Sequence, residues 1–99
     1  MDKFNYNIKA EIIPSTAKSG DTVTAKVYLS DVEGEVKNVY VSVPAYGIWE
    51  VLRSAGDNTY TLNYTIPWMA PYGKCEVNFY ATSVNGQRGP STVVQFYIQ

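Results

Sequence analysis

Apolar and polar side chains alternate with a period of two from Phe4 to Ile98, and the alternation breaks at each cluster of Gly, Pro, Asn or Asp before it resumes. Phe4, Tyr6, Ile8, Ala10 and Ile12 alternate with Asn5, Asn7, Lys9 and Glu11, the pattern of a strand that buries one face. The run from Pro14 to Asp21 is rich in turn formers, and a second strand follows with Val23, Ala25, Val27 and Leu29 inward. Past Asp31-Val32-Glu33-Gly34, Val39, Val41 and Val43 point to the core and Asn38, Tyr40 and Ser42 away from it, until Pro44 stops the ladder. Ile48 to Arg53 reads as a weaker strand with no assignable inward face. After the turn Ala55-Gly56-Asp57-Asn58, Tyr60, Leu62, Tyr64 and Ile66 alternate with Thr61, Asn63 and Thr65 up to Pro67. The last two strands set Cys75, Val77, Phe79 and Ala81, then Val94, Phe96 and Ile98, toward the core. Tyr80, Gln95 and Tyr97 fall in the outward phase, and the connecting loop holds Asn85-Gly86 and Gly89-Pro90.

Seven short strands separated by turns leave room for no helix longer than about a turn. They predict an all-β fold, a seven-stranded antiparallel sandwich made by residues 1–99 as a single domain. A chain of 99 residues is long enough to bury a core without disulfides or metals. The net charge of -1, from eight basic and nine acidic side chains, provides no electrostatic footprint for nucleic acid. Membrane insertion is not expected either, because no apolar run approaches the ~20 residues a spanning helix needs. The opening Met1-Asp2-Lys3-Phe4-Asn5 has no signal-peptide core, so an exported parent protein is expected to carry its leader outside this chain.

Two stretches carry a family resemblance. Met69 to Ser91 runs apolar residue, Pro71, then Val77, Phe79 and Ala81 at alternate positions, then Gly86 and Pro90-Ser91; this resembles the second half of a fibronectin type III domain. Cys75 stands where that family has a core tyrosine, and Ser83 where it has an asparagine. Ile12-Ile13-Pro14 followed by Lys18-Ser19-Gly20-Asp21-Thr22-Val23-Thr24 is similar to the opening of immunoglobulin-like modules of bacterial and archaeal surface proteins. Val27 or Leu29 takes the place of the tryptophan expected on the second strand of a type III domain. The resemblance implies an extracellular or cell-surface setting and a module that spaces or presents its neighbours; fold analogy by itself assigns no function.

The chain contains no histidine, which removes the commonest general base and the commonest metal ligand together. Asp31, Glu33 and Glu35 share a loop, but their spacing matches no EF-hand, and acidic turn residues are ordinarily solvated. Glu50, Asp57 and Glu76 formally allow a carboxylate pair, as the acidic residues of any small domain do. No catalytic, cofactor-binding or metal-ligating residue is therefore expected, and no cofactor. Cys75, the only cysteine, shares the phase of Val77 and Phe79 and reads as a buried small hydrophobe. Arg88-Gly89-Pro90 lacks the acidic residue of an integrin-binding triplet, and Asn63-Tyr64-Thr65 is a formal glycosylation acceptor placed on a strand.

The strongest functional pointer is aromatic. Tyr40, Tyr80 and Tyr97 lie in the outward phase of three strands that share one sheet in immunoglobulin-like sandwiches, which predicts a tyrosine-bearing face for a ligand or partner. Aromatic pairs on neighbouring strands also stabilise a sheet, by about 0.2 to 1 kcal/mol each, and that use is the expected one here. Trp49, Trp68 and Tyr72 lie near loops, where packing is again the expected use. The expected role is thus a non-catalytic spacer or adhesion module whose partners are neighbouring domains or another protein; the alternative is a carbohydrate-binding accessory module that uses the three tyrosines.

Overall fold

Every segment with period-two alternation is a strand in the computed structural model, which describes residues 3–44, 47–68 and 72–99. The protein is all-β. The strands are β1 (Asn5–Ile13), β2 (Thr16–Ala17), β3 (Thr22–Glu33), β4 (Val36–Val43), β5 (Ile48–Gly56), β6 (Thr59–Thr65), β7 (Gly73–Ser83) and β8 (Arg88–Ile98). Met69 and Pro71, which carry part of the resemblance, lie outside the described residues.

Hydrogen-bonded neighbours run β1-β3-β6-β5-β4-β7-β8-β2 in one continuous ladder. The strand that joins its two halves is β5, which pairs with β4 through residues from Ile48 to Leu52 and with β6 through residues from Arg53 to Gly56. Val23, Ala25, Val27 and Leu29 of one half and Val39, Val41, Cys75, Val77, Phe79 and Ala81 of the other are all buried in a single hydrophobic cluster. Phe79, Val27 and Val39 are completely inaccessible to solvent. Burial of each such side chain stabilises the fold by about 1.5 to 3 kcal/mol.

Three expectations need correction. Among the described residues the strands number eight, because Thr16–Ala17 inside the turn-rich connection forms a short extra one. Two residues are too few to show a period, and their pairing is secured from outside: Tyr97 N–H donates to Ser15 C=O and Gln99 N–H to Ala17 C=O. The pairing is not wholly antiparallel, since β2 runs parallel to β8. Nor are there two separately bonded sheets, because β5 changes partner midway, pairing with β4 up to Leu52 and with β6 from Arg53, just ahead of a register shift between Ser54 and Gly56. A bulge of this kind bends a strand and increases its twist, which lets one strand serve both halves.

β8 also starts earlier than Val94, the first inward position read from the pattern. Its first residues include Gly89-Pro90, a pair that punctuates most ladders. Pro90 is tolerated because β8 meets β7 across a register irregularity between Tyr80 and Thr82, and β2 covers its other edge only at Tyr97 and Ile98. The buried Tyr6 of β1 closes this irregular stretch. Its hydroxyl accepts the Ala81 N–H at 2.8 Å and donates to the Pro90 carbonyl, so β1 is tied to both β7 and β8. Ser83, the departure from the family asparagine, is buried, and its hydroxyl oxygen accepts the N–H groups of Asn85 and Gln87 in the turn that follows.

Candidate functional site

The outer face of β5, β4, β7 and β8 carries an aromatic ladder. Tyr40 and Tyr80 are directly opposed in the β4–β7 register, and their rings lie 5.3 Å apart at a tilt of 33°. Trp49 pairs with Ser42, two positions along β4 from Tyr40. That diagonal is within reach of an indole, and Trp49 stacks on Tyr40 with centroids 4.8 Å apart and planes 15° from parallel. On the other side, the Arg88 guanidinium of β8 sits 3.8 Å from the Tyr80 ring centroid. Tyr80 is half-buried, and a cation over such a ring contributes about 0.5 to 2 kcal/mol.

Polar tips lock the arrangement. The Trp49 indole N–H donates to the Tyr80 hydroxyl at 3.0 Å, and the Asn38 amide donates to the Tyr40 hydroxyl at 3.1 Å. By strand order Tyr40 lies between Trp49 and Tyr80, and Tyr80 lies between Tyr40 and Arg88. The flat surfaces of both tyrosines are therefore in contact with side chains of the protein itself. Trp49, at the β5 end of the ladder, is 57% exposed.

Of the three predicted tyrosines the structure brings two together. Tyr97 is exposed on the same strand set but is paired with Lys74, whereas Tyr80 is paired with Ser91. Six residues of β7 separate those rows, roughly 20 Å at 3.3 Å per residue. Parity along a strand shows which face a side chain takes, not which row it occupies. Trp49 and Arg88 complete the ladder and were not assigned from the pattern. Trp49 lies on a strand exposed for most of its length, and Arg88 follows a hairpin turn across which parity cannot be counted.

Packing does not describe the remaining loop aromatics. Trp68 lies against Gly20, where an added Cβ would come within 2.8 Å of its ring, yet is 83% exposed, and Tyr72 is 82% exposed. Asn63 and Thr65 of the formal glycosylation triplet are engaged across the β3–β6 pairing with Thr24 and Thr22. Asp31 accepts a hydrogen bond from the Asn7 amide, and among the described residues no three His, Cys, Asp or Glu side chains converge.

Cys75 is buried and unbridged, and burial raises its thiol pKa. The thiolate is the reactive form, so both access and ionisation oppose modification. An aromatic disulfide reagent is expected to label the native protein slower than the denatured chain by roughly two orders of magnitude or more, since the site must first open. Rapid labelling of the native state counts against this assignment.

No protein-family model and no curated protein matches the chain. Solved structures with a similar fold exist. A modular endo-β-1,4-mannanase from Cellulomonas fimi aligns with a TM-score of 0.52 at 20% identity, over 93% of this chain and 18% of the mannanase chain. An engineered protein aligns with a TM-score of 0.54 at 17% identity, over 93% of this chain and 20% of its own. A Niemann-Pick type C2 protein from the Japanese carpenter ant aligns with a TM-score of 0.55 at 11% identity, over 100% of this chain and 96% of its own. The likeness concerns the fold, and the chain corresponds to a fraction of the first two proteins and to nearly all of the third.

Proposed function

We propose that this chain is a non-catalytic immunoglobulin-like, fibronectin type III-like β-sandwich module of a larger cell-surface or secreted protein. Its role is to space or present neighbouring domains or to dock another protein. Strands β1, β3 and β6 neighbour one another in the ladder, as do β4, β7 and β8, which is the grouping such sandwiches use. The fit of this fold to a small piece of a modular mannanase is consistent with a module's role.

The observation that carries the reading is the occupation of the tyrosine rings. Sugar stacking needs a flat aromatic surface open to solvent, and here Tyr40 and Tyr80 present theirs to Trp49, to each other and to Arg88. The ladder acts as a brace across four strands. One observation favours the rival reading, a carbohydrate-binding accessory module: the half-exposed Trp49 keeps one surface of the ladder open.

Tyr80→Ala separates the two. It removes two ring contacts and a hydrogen bond from a central strand, so stability is expected to fall by about 1 to 2 kcal/mol with no change in any binding signal. For a domain of this size each kcal/mol corresponds to roughly 4 to 8 °C in Tm. Saturable binding of the parent chain to a glycan array, lost in a folded Tyr80→Ala variant, overturns the spacer reading in favour of the carbohydrate one.

A further inference from the structure

Between the two halves of the ladder lies a cavity of about 80 Å³ whose exposed lining is apolar throughout. Val23, Ala25, Val43, Ile66 and Val77 form its inner wall, and all are buried. It opens where the ladder parts. β5 bonds to β6 only from Arg53 onward, so Ile48 and Glu50 on one side and Leu62 and Tyr64 on the other face each other with no hydrogen-bonded pairing between them. These four residues are half-buried or exposed, in contrast to the wall behind them.

Glu50 shows why the site differs from an ordinary packing gap. It is paired with the buried Val41 and shares that residue's inward phase, yet it lines the cavity while remaining exposed. A charged side chain in the inward phase of a strand is costly to bury, and Glu50 stays exposed; because the cavity's exposed lining is apolar, it is the stem of Glu50 and not its carboxylate that borders the cavity. The Tyr64 phenol pKa is raised by burial and, to a lesser extent, by the Glu50 charge, so the two side chains are within electrostatic reach. The mouth thus combines one anionic group with an apolar interior.

The dimensions restrict the occupant. An engineered apolar cavity of about 150 Å³ stays dry and takes benzene, so one of half that volume suits the end of a linear chain and not a ring. We propose that this cavity receives the end of a short unbranched alkyl chain whose other end carries an ammonium group, held at the mouth by Glu50. The apolar wall supplies the contact area and the carboxylate selects the charge, disfavouring an alkanoate of the same length.

The test compares n-hexylammonium, n-hexanol and n-hexanoate on the whole chain, read by methyl NMR shifts of Val23, Val43, Ile66 and Val77. Saturable shifts at these methyls are expected with hexylammonium, weaker ones with hexanol, and none with hexanoate. Glu50→Gln changes an exposed side chain and is expected to weaken hexylammonium about fivefold, to the level of hexanol, as suits a solvent-exposed ion pair. Three outcomes overturn the proposal: no saturable methyl shifts with hexylammonium, hexanoate binding as tightly as hexylammonium, or hexylammonium affinity unaltered in Glu50→Gln.

Discussion

Gly89→Ala is expected to cost about 3 kcal/mol or more, the upper range for overpacking a core. A Cβ at this position would overlap Tyr6 Cε2 and stand 2.7 Å from Cζ and 2.8 Å from the hydroxyl oxygen. The ring has little freedom to retreat. Its hydroxyl is anchored on the backbone of β7 and β8, it is buried, and Phe4 packs edge-on against it at 5.5 Å. Relief therefore requires β8 to move away from β1 at the stretch where β7 and β8 are already out of regular register. By thermal melting the variant should lose roughly 12 to 24 °C at 4 to 8 °C per kcal/mol for a domain of this size. In the Gly89→Ala, Tyr6→Leu double variant the loss should be smaller than the sum of the two single losses, because the two positions share one contact and their effects cannot add independently. A Gly89→Ala protein that melts with the parent chain would show that the close approach carries no energetic weight.

Tyr6→Phe isolates the hydroxyl from the ring. The parent Tyr6 oxygen accepts the Ala81 N–H and donates to the Pro90 carbonyl, and neither hydrogen bond can be made by phenylalanine. Leaving the buried Ala81 N–H without a partner costs about 1 to 3 kcal/mol, whereas the part-buried Pro90 carbonyl can turn to water, so a loss of about 1 to 3 kcal/mol is expected by urea denaturation. The same substitution has a signature in alkali. Burial, as the largest cause, raises the Tyr6 phenol pKa, while the bond from Ala81 and the Arg88 charge pull it down less. With the folded value above the unfolded one of about 10, the stabilising contribution is complete below pH 10 and is lost as pH rises through the folded value. Tyr64 shifts in the same direction by burial, so the parent protein's stability should fall above about pH 10, and Tyr6→Phe should show a shallower fall. An alkaline limb identical in the two proteins would place the titration elsewhere.

The residues of this site differ in how far local pattern reveals them. Tyr40 and Tyr80 were legible as outward positions because each sits among alternating neighbours whose inward partners, Val39, Val41, Phe79 and Ala81, are unambiguous. Their direct opposition was not legible, since it depends on the offset between β4 and β7, which the shift between Val36 and Asn38 helps to set. Tyr97 had the correct face and the wrong row. Trp49 escaped because β5 divides its length between two partners and buries little beyond Leu52. The Tyr6 hydroxyl was hidden for another reason: as an inward residue of β1 it reads as plain core, and only contact with residues 75 and 84 positions later in the chain reveals what its oxygen does.

Alternation along the chain was enough for the all-β class, the position of the seven longer strands and the inward face of six of them. These follow from side-chain alternation along a pleated backbone, a property each segment has before it meets any other. Tertiary structure alone decided the rest: the eighth strand and its parallel pairing, the passage of β5 between the two halves, the stacking of Trp49, Tyr40, Tyr80 and Arg88, and the apolar cavity mouthed by Glu50. Each depends on register between strands distant in the chain, and register is fixed by the joint packing of both halves, by bulges and by single close approaches such as Gly89 on Tyr6.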